Sequence, residues 1–169
     1  MTDESQKYLL DSNVFIEAHR RYYSFDICPG FWECLSYHHD ESTLYSIDKV
    51  KDELMTGDAL GMWVRNSISG NMFHSTDGSD VVQQFSSIIQ EVQMSNQYNH
   101  EAKSEFAQIA DGWLVAYAKT HDFIVVTHEV YNPDIRKKIP IPNLCREYGV
   151  SYIDTFNMLR DLNAQFNWK

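Results

Sequence analysis

The feature that most constrains this chain is an apolar run that stops at a carboxylate and passes at once into a helical pattern: KYLLDSNVFIEAHRR, residues 7–21. Tyr8, Leu9 and Leu10 suit a buried strand. After Asp11 the apolar residues recur at helical spacing, with Ser12 or Asn13 expected to cap the first turn. The unit strand, acid, helix is what an open parallel sheet presents at a ligand site, because ligands bind outside the carboxyl ends of its strands.

The pattern repeats along the chain. FWECLSYHH (31–39) reads as a short amphipathic helix and TLYSI (43–47) as a strand, followed by Asp48 as an expected helix cap. Residues 48–69 predict one or two helices broken near Gly57, and 80–93 and 100–122 predict further helices, the last strongly apolar after Asp111. FIVVT (123–127) is the β-rich apolar run expected at the centre of a sheet covered on both faces. Helix, strand and helix are predicted over 141–149, 150–154 and 155–162, with Pro140 and Pro142 marking a loop before them. Strands alternating with helices predict an α/β class chain, a three-layer α/β/α domain with a central, mainly parallel sheet. No repeat or linker divides it, so the whole of 1–169 is expected to be a single domain.

Composition narrows the function classes. The longest apolar stretches fall far short of the roughly 20 residues a spanning helix needs, and MTDESQKY at the start is polar, so no membrane association or export is expected. Three cysteines without a CxxC pair favour a reducing, cytoplasmic setting. A net charge of −10 argues against indiscriminate phosphate binding by the whole surface. It leaves open a nuclease that meets phosphate through a bound cation.

Four acids stand where such chemistry needs them. Asp11 and Glu129 follow predicted strands, and Glu53 and Asp111 lie on predicted helices beside apolar residues. Carboxylates crowded into one cleft raise one another's proton affinity and ionise together only beside cations. Oxygen donors favour Mg2+ or Mn2+, and one or two such ions serve phosphodiester hydrolysis. Each acid also has a plain structural reading: Asp11 as a helix cap, Glu53 on a solvated face, Asp111 as a cap or a lysine's partner, and Glu129 as a loop residue for which Asp134 can substitute.

YLLDSNVFI, VKDEL, ADGWLVAYA and FIVVTHE, in this order, resemble the PIN-domain nucleases over most of the chain, and IPIPNLCREYGV extends the likeness to an uncharacterised bacterial branch of that superfamily. The resemblance implies a PIN-like fold and a metal-dependent endoribonuclease in which Asp11, Glu53, Asp111 and Glu129 are catalytic and hold Mg2+ or Mn2+, supported by Asn13 and Thr127. Glu129 departs from the pattern, because aspartate or asparagine is usual at that place and the longer side chain shifts the carboxylate outward. Many PIN proteins are the toxins of toxin–antitoxin pairs, so the resemblance implies an RNA substrate and an antitoxin partner, with a homodimer as a further expectation.

The competing readings are a catalytically degenerate PIN domain that binds protein or RNA, and a haloacid-dehalogenase-type phosphatase. The phosphatase needs a second acid where Asn13 stands. HRR (19–21) and RKK (136–138) are candidate RNA contacts, and His128 is a candidate general acid, though a hydrogen-bonded bystander is the expected role. Cys28, Cys34 and His38 or His39 lack usual zinc spacing, and the tryptophans of GFWECLSYHH and LGMWVRN are expected in the core.

Overall fold

The computed structural model describes residues 5–66, 68 and 70–168. Residues 1–4 of the polar start, and Ser67 and Ser69 at the end of the expected helical insert, lie outside the described residues. Among the described residues five strands, β1 (Tyr8–Leu10), β2 (Leu44–Ile47), β3 (Phe73–His74), β4 (Ile124–Val126) and β5 (Tyr152–Ile153), form one sheet in the order β3-β2-β1-β4-β5, every pair parallel. β1 is central: Tyr8, Leu9 and Leu10 register with Ile124, Val125 and Val126, and all three are buried. Successive strand residues point to opposite faces, so an unbroken buried run means that helices cover both. The three-layer α/β/α architecture is therefore observed, and the sheet is wholly parallel.

The helices are α1 (Ser12–Glu17), α2 (Pro29–Asp40), α3 (Asp48–Leu54), α4 (Ala59–Asn66), α5 (Ser79–Met94), α6 (His100–Phe106), α7 (Asp111–His121), α8 (Ile141–Tyr148) and α9 (Thr155–Asp161). None among the described residues is long and apolar enough to cross a membrane. α1 runs on into a π-helical turn, Ala18–Tyr22. α7 is buried on Leu114, Val115, Ala116 and Ala118, as its near-continuous apolar sequence requires.

Four local expectations are corrected, the first being the helix expected over 100–122, which is two helices, α6 and α7, parted at 107–110. The N-cap of α1 is Asp11 and not Ser12 or Asn13, and no side chain caps the turn, because the Asp11 carboxylate faces Thr127 instead. Asp48 is the first residue of α3 and not its cap, and its carboxylate accepts the Thr76 amide at 3.2 Å and hydroxyl at 2.9 Å, a long-range tie that fastens the segment after β3. Pro142 stands within the first turn of α8, where its missing N–H costs nothing, and not in the preceding loop. β3 was not expected at all. Two residues, Phe73 and His74, are too few to show a period.

The tryptophans Trp32 and Trp63 are core residues, 3% and 8% exposed, with ring centroids 4.9 Å apart. Close approach fixes the start of α7. A Cβ at Gly112 would sit 3.0 Å from Phe106 Cζ and 3.1 Å from Phe85 Cε2, while Phe85 stacks on Trp113 at 3.7 Å. Gly112→Ala therefore forces those rings outward, and chemical denaturation is expected to register a loss of about 1–3 kcal/mol. An unchanged midpoint would mean that the rings give way freely.

Candidate active site

The strand order reverses between β1 and β4, so the crevice beyond their carboxyl ends is the place where an open parallel sheet binds ligands. Asp11 follows β1 there. Its amide donates to Val126 O at 3.0 Å, which continues the ladder, and its carboxylate is 1% exposed. Thr127, next after β4, donates its hydroxyl to Asp11 Oδ2 at 3.1 Å and accepts the Glu129 amide at 3.1 Å. One hydroxyl thus links the acids that follow the two central strands.

Two helices supply the others. α1 packs on α3, and Glu53 of α3 accepts the Ala110 amide at 3.2 Å, satisfying a backbone donor just before α7. That contact holds α3 beside Asp111, the first residue of α7, which is 8% exposed. Among the described residues no hydrogen bond to the Asp111 carboxylate is formed. Burial, with the charges of Asp11, Glu129 and Glu53, pushes the Asp111 carboxyl up to about 8. Burial, then the charge of Glu129 and more weakly that of Glu53, pushes the Asp11 carboxyl up to about 7, against the opposing Thr127 hydrogen bond.

The four predicted acids therefore act on one another electrostatically, yet they are not equally free. Glu129 Oε1 accepts Lys138 Nζ at 2.9 Å and Oε2 accepts the Ile141 amide at 2.7 Å. Asn13, half-buried, lines a hollow with Glu129, His128, Tyr22, Glu17 and Phe156. Asp134 is exposed in a turn, donating its amide to Asn132 Oδ1 at 3.1 Å, and does not stand in for Glu129.

A family model described as a domain of unknown function, DUF4411, matches residues 8–166, from the first residue of β1 to beyond α9. The chain belongs to this family. Among curated proteins there is no match. A chain of the FitAcB crystal structure from Neisseria gonorrhoeae is similar in trace, with 18% identity, a TM-score of 0.48, and coverage of 86% of this chain and 96% of that one.

In this DUF4411 chain the donor set suits a hard divalent cation: Asp11, Asp111 and Glu53 offer oxygens only, and in the first two burial and neighbouring acids outweigh the opposing Thr127 hydrogen bond at Asp11 and the Lys138 charge at Asp111. Among the described residues, however, no three His, Cys, Asp or Glu side chains are gathered closely enough to hold an ion as they stand. The fit is one of donor chemistry and charge, and the carboxylates must draw together to use it. Cys28, Cys34 and His38 line a separate hollow against residues 164–168, while His39 turns to Leu44 O at 2.9 Å.

Lys138 was visible in the sequence only as part of RKK. Its partnership with Glu129 depends on the fold of the loop 127–140, and no local signal announces it. His128 hydrogen-bonds with the Tyr22 and Thr155 hydroxyls at 2.9 and 2.8 Å, and burial lowers its proton affinity.

Proposed function

We propose that this DUF4411 chain is a PIN-type, metal-dependent endoribonuclease, the toxin of a toxin–antitoxin pair. The single observation that carries the nuclease reading is the pair of buried carboxylates, Asp11 and Asp111, at the switch point of a parallel sheet, with proton affinities raised to about 7 and about 8 by burial and by each other's neighbours. The toxin assignment is supported by the resemblance of the motifs around these acids to PIN nucleases. Asp11, Asp111 and Glu53 would hold Mg2+ or Mn2+, which when bound supplies Lewis acidity for phosphodiester hydrolysis. Thr127 orients Asp11 by its hydrogen bond, and Glu53, fixed at one oxygen by Ala110, has the other available to take a proton from water.

The test is calorimetric titration of manganese into the protein, followed by incubation with pooled RNA. Binding together with manganese-dependent cleavage supports the reading. Binding of RNA without cleavage under any divalent ion favours the degenerate binding module, a reading to which the engaged carboxylate of Glu129 lends weight. Thr127→Val keeps the shape and removes the donor to Asp11, so manganese affinity is expected to fall about 10–100-fold. Unchanged affinity would show that Asp11 needs no such orientation.

An antitoxin would reach this cleft with a basic side chain, since a cation offsets the repulsion that these acids otherwise relieve by taking up protons.

A further inference from the structure

Glu129 is spent inside its own loop. Oε2 accepts the Ile141 amide, an otherwise unpaired donor in the first turn of α8, and Oε1 accepts Lys138 Nζ. The exposures are unequal: the Glu129 side chain is 10% exposed and that of Lys138 53%. The acid is the buried post, and the ammonium is the end that faces water.

The loop bearing Lys138 is anchored on both sides. Asn143 accepts the Asn132 amide at 3.0 Å and donates to Asn132 O at 2.8 Å. Gln97 donates to Pro133 O and Ile135 O at 2.9 and 3.0 Å, and the Asn99 amide to Arg136 O at 2.9 Å. Burial works against the charge on Lys138, but Glu129, Asp111 and Asp11 outweigh it and raise its proton affinity, so the ammonium lies within the field of the cleft acids.

An acidic cleft in a chain of net charge −10 repels a polyanion. A fixed cation at its mouth is where a backbone phosphate finds attraction. One of the three ammonium donors is used by Glu129, leaving two for phosphate oxygens. Beside it lies an open hollow of about 290 Å³ lined by Glu129, Tyr131, Ile135 and Lys138, among others.

We propose that Glu129 is a positioning residue for Lys138 and not a cation ligand, and that the Lys138 ammonium binds a backbone phosphate of single-stranded RNA at the rim of the carboxylate cleft. The inference rests on the nuclease reading. It predicts that Glu129→Gln keeps manganese affinity within about twofold while losing RNA affinity, because the single amide oxygen still accepts from Ile141 but the amide nitrogen that replaces Oε1 cannot accept the ammonium.

Two measurements test it. The first is manganese calorimetry of wild type and Glu129→Gln, in which a loss of tenfold or more overturns the inference by making Glu129 a ligand. The second is fluorescence anisotropy of a short single-stranded RNA of mixed sequence, in chelator, across a salt series. Lys138→Met is expected to bind at least about fivefold more weakly, with a logarithmic salt slope shallower by about 0.7, the value of one phosphate contact on a single strand. Lys138→Arg restores both. Wild type that binds manganese and RNA alongside a Lys138→Met protein with the same affinity and slope overturns this inference alone. Wild type that binds neither overturns the nuclease reading and this inference with it.

Discussion

At pH 8 in chelator, the Asp111→Asn protein is expected to unfold at a higher temperature than the wild type, against the usual outcome for a change at a buried residue. The reason is the sign of the proton linkage. Asp111 and Asp11 have folded-state proton affinities of about 8 and about 7, above the ordinary carboxylate value of 3.8. Between pH 4 and pH 8 the folded chain therefore binds more protons than the unfolded one, and its stability falls as pH rises. Each unit of raised affinity is worth about 1.4 kcal/mol, and the two acids share their repulsion, so the loss between pH 5 and pH 8 is on the order of 3 kcal/mol. In a chain of this size that is roughly 6–12 °C. An amide at position 111 carries no charge, so the variant's thermal midpoint should lose most of this slope and stand several degrees above wild type at pH 8. Saturating manganese should then raise the wild type, by about 2.7 kcal/mol at a hundredfold excess over its dissociation constant, and leave Asp111→Asn nearly unmoved. A variant less stable than wild type at pH 8 would mean that the carboxylate is already compensated.

On the proposed nuclease reading, cleavage should respond more sharply still. Asp11→Asn preserves the volume and can still accept the Thr127 hydroxyl, yet it removes the charge at the one acid that the central strand, α1 and Thr127 together hold in place. If that charge supplies about 4 kcal/mol of transition-state stabilisation through the cation, the rate of manganese-dependent RNA cleavage falls about a thousandfold. Single-turnover assays with circular dichroism on the same samples would separate lost chemistry from lost fold. Residual activity within tenfold of wild type would remove Asp11 from the catalytic set.

Much of this arrangement was legible in the sequence because the acids sit at boundaries. Asp11 marks the place where a buried strand becomes a helix, and Asp111 opens the apolar helix α7, although the helix expected over 100–122 proves to be two, α6 and α7, parted at 107–110; both boundaries carry periodicity on one side or the other. The alternation of strand and helix was readable for the same reason, except at Phe73 and His74, where a strand too short to have a period is recognised only by pairing with Ser46 and Ile47. Partners across long separations were not readable. Asp48 is a helix's first residue by position, but its carboxylate serves Thr76, and Glu129 is readable as an acid after a strand while its partners Lys138 and Ile141 are not. Those choices are made by loop conformation, which residue type alone does not encode.

The wholly parallel sheet has a consequence for how the protein is born. No two of its strands are joined by a hairpin, and the central strand acquires its second neighbour from residues 124–126. During synthesis Asp11 leaves the ribosome ahead of Thr127, which orients it and follows more than a hundred residues later. The cleft therefore cannot assemble before β4 has emerged, whatever the earlier strands and helices have formed.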